Sequence, residues 1–110
     1  VQGDGEVNLC AIETFLQGTL QFFVRKDKRI KWPRAETPTH IITMGFQEDL
    51  DTAAKMAVKE MLDYLVEEKA MNSEDAYMIA SLIVDLHVTQ LVNGLKGIHA
   101  MLPKSIFVKE

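Results

Sequence analysis

The strongest constraint on this fold is a change of hydrophobic period near residue 50. Before it, apolar residues alternate with others; after it, they recur at intervals of three and four. Ala54, Ala57, Val58, Met61, Leu62 and Leu65 fall on one stripe of a helix from about Asp51 to Lys69, with Lys55, Lys59, Glu60, Asp63 and Glu67 off it. Asp49 or Asp51 suits the amino end, where a carboxylate accepts free backbone N–H groups and meets the positive pole of the helix dipole. A second helix starts at Asn72-Ser73-Glu74-Asp75, with Ser73 as its N-cap and Ala76, Ile79, Ala80 and Ile83 as its inner stripe.

The alternating segments predict strands to pack under this helical hairpin. Val7 to Glu13 reads as one strand and Thr19 to Val24 as a second, paired with the first as a hairpin. Thr39 to Met44, β-branched and preceded by Pro38, predicts a third. Leu86 to Val92 is a further extended segment; Asn93-Gly94 and Lys96-Gly97 mark turns before a tail, Ile98 to Pro103. The expected fold is α+β: a small antiparallel or mixed sheet with a helical hairpin on it. The three prolines lie outside the periodic stretches and no linker or repeat divides the chain, so residues 1–110 are expected to form one unit.

At 110 residues the chain can build one ordinary core but not two lobes around a deep cleft. Sixteen acidic against 12 basic residues give a net charge of −4, which argues against nucleic acid or an anionic membrane as partner. Six basic residues cluster between Arg25 and Arg34, beside Trp32, and are read as a solvated hairpin tip. No apolar run is long enough to span a bilayer, and no leader pattern opens the chain. Cys10 is the single cysteine, which excludes an internal disulfide and points to the reducing cytoplasm. In a strand it reads as a small hydrophobe, and Met56, Met61 and Met78 read as core filler.

Chemistry is densest at Gln2-Gly3-Asp4-Gly5-Glu6, with Glu13 seven residues further on. Two glycines around an aspartate allow positive φ and close approach to a ligand, and in an extended chain Asp4 and Glu6 project to the same side. Such a pair can ligate a hard divalent ion, or one carboxylate can raise the pKa of the other. The same string is also an ordinary turn. Parity sets Glu13 on the face opposite Glu6. His40, His87 and His99 have no metal-ligand spacing among themselves and read as packed or surface residues.

In order and spacing, these strings resemble the acetamidase/formamidase family: Gln2-Gly3-Asp4-Gly5-Glu6-Val7, Ala11-Ile12-Glu13, Lys31-Trp32-Pro33-Arg34 and Thr39-His40-Ile41-Ile42-Thr43-Met44-Gly45. The second half agrees through Asp49-Leu50-Asp51, Glu74-Asp75-Ala76-Tyr77-Met78, Val84-Asp85-Leu86-His87-Val88-Thr89-Gln90 and Gly97-Ile98-His99-Ala100-Met101-Leu102-Pro103-Lys104. The resemblance implies a cytoplasmic, homo-oligomeric amidohydrolase that cleaves the C–N bond of small linear amides such as formamide or acetamide. It also implies a divalent metal ion, zinc in the first place and calcium in the second. By this resemblance Asp4, Glu6 and Glu13 are the metal candidates and Glu6 is the catalytic base. The family carries a His-containing, β-rich region before the Gly-Asp-Gly-Glu string. The chain is therefore expected to be the carboxyl-terminal part of such an enzyme, associating with the amino-terminal portion and inactive without it. Asn8-Leu9-Cys10 departs from the small residues usual there. A different class of function, a non-catalytic module for self-association, would use the alanine stripe around Ala53, Ala54 and Ala57 for close approach of a partner.

Overall fold

A computed structural model describes residues 1–108. Its regular elements begin at strand β1 (Arg34–Glu36), followed by β2 (His40–Gln47), helix α1 (Leu50–Lys69), helix α2 (Ser73–Ile83), β3 (Asp85–Gln90), β4 (Lys96–Pro103) and a 3-10 turn (Lys104–Ile106). The strands form one antiparallel sheet in the order β1-β2-β4-β3, with both helices on one side of it: the α+β architecture expected.

Helix α1 forms where the three-four stripe places it, and its ends are set by local chemistry. Asp49 Oδ2 accepts the Thr52 N–H at 2.7 Å, and Ala70 closes the other end in the left-handed region, φ 53°. The Met71 N–H then returns at 3.2 Å to the Leu65 carbonyl, which also accepts the Ala70 N–H, so the chain leaves the helix with both donors paired. In α2 the cap lies one residue before the expected Ser73: Asn72 Oδ1 accepts the Asp75 N–H at 2.8 Å.

The core lies between α1 and the central strands. Ala53, Ala57, Met61 and Leu65 from α1 are fully buried, and they meet Ile41, Ile98, Ala100 and Leu102 from β2 and β4. Two β2 residues let the helix come close. A Cβ on Gly45 would lie 2.3 Å from the Ala53 carbonyl oxygen and 2.7 Å from the Ala57 nitrogen, so the helix backbone rests directly on the strand. Thr43, wholly buried, satisfies its hydroxyl by donating to the Ala57 carbonyl at 2.8 Å. The alanine stripe is thus used inside the chain, with Ala53 and Ala57 packed under this contact. Glu60, 6% exposed, faces Arg34 on β1 at 3.2 Å, so the charge that enters the core is paired.

Several expectations are corrected. Val7–Glu13 and Thr19–Val24 form no strands; their side chains are exposed, Cys10 among them. Alternation prepares a chain for a sheet but cannot supply the neighbouring backbone, and among the described residues no partner strand lies beside either segment. With no hairpin there, the basic run is no hairpin tip; instead Lys28 pairs with Glu68 on α1, and Arg25 with Asp27 at 2.6 Å. The tail from Ile98 to Pro103 is in fact the inner strand β4, whose register pairs His40 with Pro103 and Gln47 with Lys96. Gly97 lies within that strand rather than in a turn, since a Cβ there would stand 2.8 Å from the Phe46 ring. Met61 is core, whereas Met78 on α2 is exposed.

Candidate metal centre

The sheet alternates its side chains, so the face turned from the helices carries the odd-numbered residues of β3 and β4 around the pair His87 and His99. These two are direct cross-strand partners, and their rings stack with centroids 5.2 Å apart at 17°. The Asn93-Gly94 turn accounts for the pairing. Both residues take positive φ, and a hairpin folded about Asn93 sets residues equidistant from it opposite each other.

The amino-terminal string adds the third group. Gly5 bridges Gln90 in parallel: its N–H donates to the Thr89 carbonyl at 3.2 Å, and its carbonyl accepts the Leu91 N–H at 2.9 Å. Gly5 is buried at φ +94°, a conformation that favours glycine, and the chain turns there. Asp4 is delivered to the two histidines. One ligand atom from each of Asp4, His87 and His99 lies within 4.8 Å of the others.

The turn and the ligand readings of the Gly-Asp-Gly-Glu string therefore coexist, since the turn aims Asp4. It also separates the carboxylates that an extended chain would put side by side. Glu6, at φ 30°, points its Oε1 to the Asn93 amide, which donates at 2.9 Å. Glu13 lies in the exposed segment beyond, outside the three-residue cluster. His40 opens β2 with its Nδ1 2.8 Å from the Thr39 hydroxyl and is likewise outside it.

Two imidazoles and a carboxylate suit zinc and other first-row divalent ions, which accept nitrogen and oxygen together. Calcium asks for six to eight oxygens, so this donor set fits it poorly. His99 is half-buried, and burial pushes its pKa below the ordinary histidine value; His87 pushes the same way while the Asp4 carboxylate opposes. The ring is therefore neutral near pH 7 and keeps a lone pair for a metal. Its Nδ1 lies 2.8 Å from the Thr89 hydroxyl, which leaves Nε2 as the ligand nitrogen. Asp4 and His87 are exposed, so the centre opens to the surface. A groove of about 720 Å³ elsewhere, lined among others by His40, Tyr64, Lys69, Lys104 and Phe107, contains none of the three.

Sequence spacing did not identify the two histidines, because what joins them is register. The signal was there in the Asn93-Gly94 turn, had the segments on either side been paired around it.

No family model matches the chain, and no curated protein matches it significantly. Solved structures do. The acetamidase of Bacillus halodurans is 39% identical over 68% of this chain, with a TM-score of 0.64. The chain belongs to the acetamidase/formamidase family. Two further structures agree. The acetamidase of Yersinia enterocolitica is 26% identical over 76% of the chain, TM-score 0.73. A predicted acetamidase/formamidase of Thermoanaerobacter tengcongensis is 26% identical over 74%, TM-score 0.68. The chain covers only 25%, 26% and 27% of these three relatives, about a quarter of the length of an acetamidase/formamidase. Among the described residues no helix is long and apolar enough to cross a membrane.

Proposed function

We propose that this chain is part of a metal-dependent amidase that hydrolyses small linear amides of the formamide or acetamide type to ammonia and a carboxylate. The observation that carries the proposal is the convergence of Asp4, His87 and His99 on one point, within a chain of this family. Asp4, His87 and His99 would hold the ion, zinc by the chemistry of the donor set. When bound, such an ion supplies a Lewis acid that polarises an amide carbonyl and lowers the pKa of a water.

The chain's own groups divide the remaining work. Glu6, two residues from Asp4, is the proposed general base. Its Oε1 is held by the Asn93 amide, and Oε2 remains to take the proton of the attacking water and pass it to the leaving nitrogen. Asn93 fixes that carboxylate in place and so lowers the entropy cost of aligning it. An exposed centre does not by itself exclude bulk water or enclose a substrate. We therefore assign those tasks to further chain of the kind that relatives carry, placed by the resemblance on the amino-terminal side. Association with that portion, homo-oligomerisation and a cytoplasmic location belong to the same proposal. A self-association module built on the alanine stripe has less support, because Ala53 and Ala57 are covered by β2.

The test is zinc titration followed by ammonia release from formamide and acetamide. The chain alone is expected to bind zinc and release little ammonia; with the further portion supplied, release should appear. Glu6→Gln should then lower kcat by about 10²-fold or more while zinc binding persists. Absence of zinc binding would overturn the metal assignment, and near-normal turnover by Glu6→Gln would remove that residue from the role of base.

A further inference from the structure

One residue touches both halves of the centre without belonging to it. The β3–β4 ladder runs in register from Asp85↔Met101 to Val88↔Ile98, then shifts, so that Gln90 rather than Thr89 faces Gly97. Thr89 is the extra residue of a β-bulge, and by strand alternation its side chain stands on the same face as His87 and His99. Its hydroxyl lies 2.8 Å from His99 Nδ1. Its carbonyl accepts the Gly5 N–H at 3.2 Å and so anchors the turn that presents Asp4. Room for this arrangement comes from Gly97: a Cβ there would stand 3.1 Å from Thr89 Cβ and 2.8 Å from Phe46.

We propose that Thr89 is a positioning residue of the metal centre, fixing the His99 ring with Nε2 toward the ion while its carbonyl holds Asp4 in reach. The proposal rests on the reading of Asp4, His87 and His99 as metal ligands. With Nε2 bound to an ion, the proton of the neutral imidazole sits on Nδ1, and Nδ1–H donates to the Thr89 hydroxyl oxygen. A threonine hydroxyl both donates and accepts, so the contact survives in the metal-free tautomer as well. Valine keeps the shape and the β-branching but offers no acceptor, which leaves Nδ1–H unsatisfied beside a half-buried ring.

The experiment compares the wild-type chain with Thr89→Val and Thr89→Ser by zinc titration and by the visible spectrum of the cobalt-substituted protein. Thr89→Val should weaken zinc binding about 10- to 100-fold and alter the cobalt bands. Thr89→Ser, which restores the hydroxyl, should lie close to wild type in both. Wild-type affinity and spectrum in Thr89→Val would overturn the proposal while leaving the ligand assignment intact. A wild-type chain that binds no zinc would overturn both. If Thr89→Val fails to fold, histidine nitrogen-15 spectra of the zinc-loaded wild type decide: Nε2 metallated with Nδ1 protonated is expected at His99, and the reverse assignment refutes the role.

Discussion

Residues 34–108 and residues 1–33 follow opposite rules within one chain. In the first region a core of hydrophobic residues faces inward: Met61 and Leu65 are 0% exposed under a four-stranded sheet. In the second they face outward, with Phe15 97% and Phe22 85% exposed. The difference is not one of composition, since both regions are rich in apolar residues with a suitable period. It lies in whether a complementary surface exists within this chain. The radius of gyration, 15.5 Å, records the consequence, since a compact chain of this length would have about 13 Å. Hydrophobic patterning expresses what a segment can do against a partner; it becomes structure only when the partner is present.

Substitutions can break or sharpen that contrast. The largest effect should come from Met61→Ala in the core. Truncating a fully buried side chain is expected to cost about 2–5 kcal/mol in denaturant unfolding, because the transfer loss is joined by a cavity. A cost under about 1 kcal/mol would mean that the ordered region is not well packed. Asn72→Ala should cost less, about 1 kcal/mol, by freeing the Asp75 N–H at the start of α2. Phe15→Ser should leave the unfolding midpoint within about 0.5 kcal/mol of wild type. A larger destabilisation would show that Phe15 packs on residues 34–108 after all.

The smallest effect concerns pH. The Thr52 hydroxyl, then the Thr52 backbone N–H, hold the Asp49 carboxyl below its ordinary pKa. A depressed folded pKa favours the ionised, folded form, so this contribution is present above the ordinary carboxylate range and is lost as pH falls through the depressed value. Asp49→Asn, still a competent cap, should flatten the acid limb of the stability profile without moving its neutral plateau. An unchanged acid limb would show that the cap does not contribute to it.

The helices could be read from the sequence because their determinants are local. Leu50–Lys69 needed only a stripe, Asp49 and an exit at Ala70. Half of the sheet could not be read in this way. Ile98–Pro103 looks like a tail by itself and is an inner strand only because β2 and β3 lie on its two sides. The centre combines both cases. Asp4 could be singled out because glycines flank it, whereas His87 and His99, twelve positions apart, acquire meaning only from the register of a hairpin. The strands expected within residues 7–24 fail for the complementary reason: their alternation is genuine, but nothing among the described residues stands where a neighbour would.

The sheet order has a consequence for how the molecule comes into being. Strand β4 is made after the other three and must lie between two of them, joining β2 across 63 residues at its far end. During synthesis β2 and β3 therefore wait with open edges, and the histidine pair does not exist until the last strand arrives between them. Assembly of the candidate centre is tied to closure of the sheet, so a partly made chain, with β4 still inside the ribosome, does not yet bring Asp4, His87 and His99 together.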